Sequence, residues 1–236
     1  MKIVIMTTFE NPWGLEMIRA LLSQGMDLKA VICSHDPEIY RKEQEIFRER
    51  TIGHYRIPPI TEVTVPHLLP FYFVSSHNSL TSEAIILRLK PDLLVLGGAD
   101  IIMPQILSIP VIGTLNIHPG LLPQYRGCSA VEWALYHDDF VGTTCHFVTP
   151  EIDGGPILYS EVLPIKRGDS YESVRARMFS HGAGVLVKGI KLLESGLKGT
   201  SAASDKGSYH NVMDNDTLAK VKEKLLKMEY KQYTEE

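Results

Sequence analysis

Three cysteines, Cys33, Cys128 and Cys145, are all that the 236 residues contain, and no two form a CxxC pair. That excludes a disulfide framework and suits a reducing, cytoplasmic setting, where each thiol is expected to serve as a small apolar core residue. Positive charge is also short: 24 Lys and Arg face 28 Asp and Glu, a net charge of -4. Phosphate backbones are held by surplus basic charge, so a nucleic-acid partner, tRNA-sized substrates included, is disfavoured. No apolar run approaches the length of a membrane span, and "MKIVIMTT" is too short an apolar start for a signal peptide, so no membrane partner is expected. Fixed-period repeats and low-complexity tracts are missing as well.

What is there is an ordinary core-forming composition, 44% hydrophobic, arranged in alternating patterns. "KIVIM", "DLKAVICS", "FYFVSS", "DLLVLGG" and "VIGTLNI" are short apolar runs that read as strands. Between them "PWGLEMIRALLSQG", "DPEIYRKEQEIFRER" and "SLTSEAIILRLK" space their apolar residues helically. Asp36 is placed to cap the second of these, with Pro37 at its first position. Strands apolar on both faces and alternating with helices predict a doubly wound α/β fold: a mostly parallel sheet with helices on both faces. A helix over "SAVEWALYH" capped by Ser129, strands at "FVGTTCHFVT" and "ILYSEVLPI", and a long helix from about Ser170 to Leu193 complete the body. "GVLVKGIK" lacks the spacing of a phosphate-binding loop and reads as the apolar face of that long helix.

The expected domains are therefore a body over 1–195 and a tail over 196–236. The tail reads as a polar, Gly- and Ser-bearing mobile link followed by a short helix. With few apolar residues to anchor it, its removal from about Ser201 is expected to cost little stability.

"LNIHPGLLPQYRG" ends an apolar run on Asn116 and His118, two groups that are costly to bury without hydrogen bonds. Ligands of such sheets bind beyond the carboxyl ends of the strands. Residues two apart in an extended segment share a face, and Pro119 holds His118 extended, so an amide and an imidazole point the same way. Downstream, "PEIDGGPIL" sets Asp153 before two glycines and a proline. Taken singly, an Asn at a turn, a buried His and an Asp before Gly-Gly are usually structural. The remaining histidines, His146 among them, show no metal-type spacing, and no metal is expected.

The ordered set Asn116-Ile117-His118, Leu121 to Gly127, Trp133 and Asp153-Gly154-Gly155 resembles the formyltransferase catalytic domain that uses 10-formyltetrahydrofolate. The resemblance spans roughly 1–195 and implies a Rossmann-like fold and an enzyme that moves a formyl group from a folate nitrogen to an amine. Such transfer passes through a tetrahedral intermediate, which needs an oxyanion donor and proton movement. The roles it implies are Asn116 as oxyanion donor, His118 as general base or oxyanion partner, and Asp153 as orienter and proton relay whose charge favours the protonated imidazole. It further implies folate contacts at Ile101, Ile102 and Met103 and at Pro150, Glu151 and Ile152, although Ile102 and Met103 also fit as core. Acceptor contacts are implied at Tyr125, Arg126, Gly127 and Trp13.

The acceptor is narrowed by elimination. Phosphoribosylglycinamide formyltransferases carry a Gly- and Ser-rich loop where this chain has "TTFENPWG". Methionyl-tRNA enzymes add a substantial C-terminal domain, and formyltetrahydrofolate hydrolases precede the sheet with a regulatory domain, whereas here the sheet starts at Lys2. The sugar N-formyltransferases remain, with a small amine acceptor, an amino sugar on a nucleotide carrier. The purine-pathway and hydrolytic readings stay open, as do a non-catalytic folate or nucleotide-binding module and homodimer formation.

Overall fold

The computed structural model describes residues 1–200 and 207–234, and the chain divides into two compact units, 1–49 with 56–116 and 50–55 with 117–236. The first unit runs β1 (Ile3–Thr8), α1 (Pro12–Ser23), β2 (Leu28–Ser34), α2 (Pro37–Thr51, whose end enters the second unit), α3 (Ile60–Thr64), β3 (Phe71–Val74), α4 (Leu80–Leu89), β4 (Leu93–Leu96) and α5 (Pro104–Leu107), all of them expected elements except the short helices α3 and α5. β5 (Gly113–His118) carries the boundary between the units. The second unit adds β6 (Tyr125–Gly127), α6 (Ala130–Tyr136), β7 (Gly142–Phe147), β8 (Ile157–Val162), α7 (Tyr171–Glu194), β9 (Ser208–His210) and α8 (Asn215–Leu226).

In the first unit the strands lie in the order β3-β2-β1-β4-β5, and in the second β7 lies beside β8. Pairs β1/β2, β2/β3, β1/β4 and β4/β5 are parallel, while β7/β8 is antiparallel. Every residue of β1 and β4 is buried, which requires cover on both faces and accounts for the unbroken apolar runs. The chain builds outward from β1 to β3 and returns to lay β4 beside β1, so the strand order reverses there. Packing at that reversal is close: a Cβ on Gly14 of α1 would lie 2.1 Å from Thr7 Oγ1, and one on Gly97 2.8 Å from the Gly14 Cα. Asn11 caps α1 by accepting the Trp13 N–H at 3.0 Å, and Asp36 caps α2 as its sequence position implies.

In the second unit α7 buries Val185, Leu186, Val187 and Ile190, so "GVLVKGIK" is an apolar helix face. Two expectations change. Ser129 precedes α6 with φ 49 and makes no side-chain cap; its hydroxyl instead accepts the Met213 N–H at 3.1 Å. Cys33 and Cys145 are buried, but Cys128 is exposed.

The tail is also more firmly held than its polarity suggests. Residues 201–206 of the expected mobile link lie outside the described residues. Beyond them β9 pairs in parallel with β6, and α8 buries Val221 and Leu225. Met213 and Tyr230 are buried too, and the Tyr230 hydroxyl donates to the Asp139 carbonyl at 2.6 Å. Lys224 donates to the carbonyls of Leu135 and Tyr136 at the end of α6, where a cation meets the negative end of the helix dipole. Four well-spaced apolar anchors are enough to dock a helix whose other faces are charged. Leu225→Ala, at a site 1% exposed, is expected to lower unfolding free energy by about 2–5 kcal/mol. Urea denaturation checks this, and an unchanged midpoint would return α8 to the weakly anchored reading.

Candidate active site

β5 delivers Asn116 and His118 from one strand. Asn116 is half-buried and in register with Leu96; His118 ends the strand 3% exposed. The His118 ring lies between two acceptors. Its Nε2 is 2.5 Å from the Tyr125 carbonyl oxygen and its Nδ1 is 3.5 Å from Asp153 Oδ2. A carbonyl can only accept, which assigns the hydrogen to Nε2 and leaves Nδ1 to take a second proton. Glycine at 120 makes this contact possible, because a Cβ there would sit 2.8 Å from Nε2 and 2.9 Å from the Tyr125 carbonyl oxygen.

Asp153 is fixed from a second side. It adopts φ 50, a left-handed conformation that Asp tolerates better than most residues, and its Oδ2 accepts the Gly127 N–H at 2.8 Å. Arg126 Nε donates to the Ile152 carbonyl at 3.1 Å, and its guanidinium pairs with Glu151 Oε1 at 3.0 Å. The "LLPQYRG" segment therefore clasps the "PEID" loop, a physical reason for the two motifs to occur together. Tyr125 is 5% exposed. Its hydroxyl donates to Asp139, its ring stacks on His210 at 5.3 Å, and burial followed by Asp139 pushes that hydroxyl's pKa up.

One further neighbour carries no motif of its own. His146 on β7 has no metal-type spacing, yet its Nε2 lies 3.7 Å from Asp153 Oδ1 and its ring centre 6.5 Å from that of His118. Its Nδ1 lies 2.9 Å from the Phe147 carbonyl oxygen. The available signal was a histidine inside the apolar strand "GTTCHF": a buried polar ring needs partners. Burial, then the charge of His118, pushes His146 down to about 4, against the opposing pull of Asp153. Burial likewise lowers His118, with Asp153 and the Tyr125 carbonyl pulling the other way. The expected influence of the carboxylate has the right sign, but desolvation outweighs it and favours a neutral imidazole.

The other implied contacts differ in exposure. Ile101 is 78% and Met103 47% exposed, whereas Ile102 at 6% is core. Pro150, Glu151 and Ile152 are exposed. Trp13 stands half-buried in the first turn of α1. Among the described residues no group of three or more His, Cys, Asp or Glu is arranged to hold a metal, and no helix is long and apolar enough to cross a membrane.

Fold and site together define an α/β protein with an N-x-H strand end served by an Asp loop. The Formyl transferase family matches residues 1–190, and the chain belongs to that family. Among curated proteins it is 26% identical over 196 residues to a methionyl-tRNA formyltransferase of Syntrophus aciditrophicus, covering 82% of this chain and 60% of that protein. It is 30% identical over 200 residues to the enzyme of that name from Parabacteroides distasonis, covering 83% and 57%. The chain thus spans about three-fifths of the length of these relatives. Among solved structures, glycinamide ribonucleotide transformylase 1 from Symbiobacterium toebii aligns with TM-score 0.63 and 22% identity over 83% of this chain and 88% of that one. A sugar N-formyltransferase from a Shewanella species aligns with TM-score 0.61 and 19% identity over 90% and 77%. These two likenesses concern the fold.

Proposed function

We propose that the chain transfers the formyl group of 10-formyltetrahydrofolate to the primary amine of a small cytoplasmic acceptor, an amino sugar on a nucleotide carrier. The observation that carries the reading is the convergence on His118 of Asp153 and the Tyr125 carbonyl, from the two loops singled out in the sequence. In this reading the acceptor nitrogen attacks the formyl carbon, Asn116 donates to the oxyanion, and neutral His118 takes the amine proton at Nδ1. Asp153 stabilises the imidazolium so formed. The carbon–nitrogen bond to folate then breaks, and the proton passes to the leaving folate nitrogen.

Residues 1–195 carry the chemistry and 196–236 brace it. Ile101, Met103, Pro150, Glu151 and Ile152 contribute to donor binding, and Trp13, Tyr125, Arg126 and Gly127 to acceptor binding. For Tyr125 the contribution is indirect, through the carbonyl that holds the His118 ring, since its hydroxyl is held by Asp139. The net charge of -4 supports a small acceptor over a polyanion. A second reading, formylation of an aminoacyl-tRNA, draws on the names of the curated relatives.

The test incubates the protein with 10-formyltetrahydrofolate and a panel of nucleotide-linked amino sugars, with methionyl-tRNA in parallel, and reads formyl addition by mass spectrometry. A formylated amino sugar is expected. Formylation of the tRNA alone would transfer the assignment to the second reading, and tetrahydrofolate release without acceptor would make the protein a hydrolase.

A further inference from the structure

The first unit carries an open-mouthed cavity of about 160 Å³ at the carboxyl ends of β1, β2 and β3, where Thr8, Ser34, Ser75 and Ser76 bring hydroxyls to its wall. A cavity of roughly 150 Å³ holds one six-membered ring, so the occupant is compact. The wall is anionic. Asp36, Glu43 and Asp100 line it, and among the described residues no Lys or Arg does.

An anion has no seat here. The start of α2 would ordinarily attract one, but Asp36 already accepts the N–H groups of Glu38 at 2.8 Å and Ile39 at 3.1 Å. Glu43 accepts the Thr8 hydroxyl at 2.7 Å, and that hydroxyl in turn accepts from the Asn11 amide at 2.9 Å. Asp100 lies 3.4 Å from Nδ1 of the fully buried His77, whose Nε2 is 2.9 Å from the Thr7 carbonyl oxygen. Burial raises the Glu43 carboxyl, the neighbouring Asp100 adds to the rise, and the Thr8 hydroxyl and His77 oppose it, so the two carboxylates act on one another across the same space. The remaining wall is aromatic: the Phe9 ring packs 5.1 Å from His35 and 5.3 Å from Tyr40, and the Tyr40 hydroxyl donates to Glu10 at 2.8 Å. Carboxylates beside aromatic faces are the surroundings that attract an organic cation.

We propose that this cavity binds a small organic cation, a primary ammonium on a compact hydroxylated body no larger than one amino-sugar ring, and rejects phosphate. Glu43 and Asp100 take the ammonium, the serine and threonine hydroxyls take the ligand's hydroxyls, and the aromatic wall covers its carbon skeleton. The proposal reaches beyond the formyl-transfer reading, and its test uses neither folate nor turnover, so either can fail without the other.

Glucosamine is the probe, titrated at low salt and followed by NMR shifts of the His35 ring and the Tyr40 side chain, with glucose and inorganic phosphate as controls. Saturable binding of glucosamine is expected, with glucose at least ten-fold weaker, no phosphate shifts at these residues, and weakening by added salt. Glu43→Gln, which preserves shape and the bond from Thr8, and Asp100→Asn are each expected to weaken glucosamine about ten-fold with circular dichroism unchanged. If either variant misfolds, the glucose comparison and salt dependence of the wild-type protein decide. No saturable shift, equal affinity for glucose, phosphate binding at these residues, or folded variants that bind as wild type would overturn the proposal.

Discussion

His118→Asn is expected to lower turnover by roughly two to four orders of magnitude, the usual share of a general acid or base. Asparagine can still donate a hydrogen bond but cannot take a proton near neutral pH, so the loss belongs to turnover more than to substrate binding. The ring is 3% exposed and bonded to the Tyr125 carbonyl. Its replacement also opens a small void and weakens that bond, a folding cost of about 1–3 kcal/mol. Thermal unfolding measures this part separately, and kcat of the folded variant measures the chemistry. Turnover within a few-fold of wild type would remove His118 from the catalytic role.

Asp153→Asn separates electrostatics from turn formation more sharply, because asparagine keeps everything local. It tolerates the left-handed φ of 50, and its amide oxygen can accept the Gly127 N–H that now bonds Oδ2. What disappears is the charge beside Nδ1. That charge raises the His118 pKa against the larger lowering by burial, so its removal lowers the pKa further and moves the acid limb of the kcat profile to lower pH. On the neutral plateau His118 is uncharged in both proteins, yet the imidazolium formed during transfer loses its partner. The plateau is expected to fall by roughly two to four orders of magnitude. A wild-type plateau with an unshifted acid limb would reduce Asp153 to a turn residue.

The plateaus are compared above pH 6.5. His118 and His146 both have folded values below their ordinary one, His146 at about 4. Between those values the unfolded chain binds more protons than the folded chain, and stability falls as pH falls through that window.

The layered fold was legible because its causes are local. The unbroken apolar runs of β1 and β4 reflect burial on two faces, and the helices between them carry 3.6-residue periodicity with a cap at Asp36. The antiparallel β7/β8 pair and the short β6/β9 pair were harder to foresee, since pairing direction and partner depend on chain paths that hydrophobic pattern does not encode. The tail misled for a related reason: its composition is polar on average, while docking depends on a few apolar side chains such as Val221 and Leu225 lying on one face.

For the site, the sequence by itself determined the chemical inventory: an amide and an imidazole two residues apart at a strand end, and a carboxylate in a loop that only small residues allow. Tertiary structure decided what each group meets. It brought Asp153 to Nδ1 of His118, drew Arg126 onto the "PEID" loop, and added His146 beside the same carboxylate. It also set the direction of the His118 pKa. A pKa is fixed by burial and by the charges near a group in space, and a one-dimensional pattern carries neither.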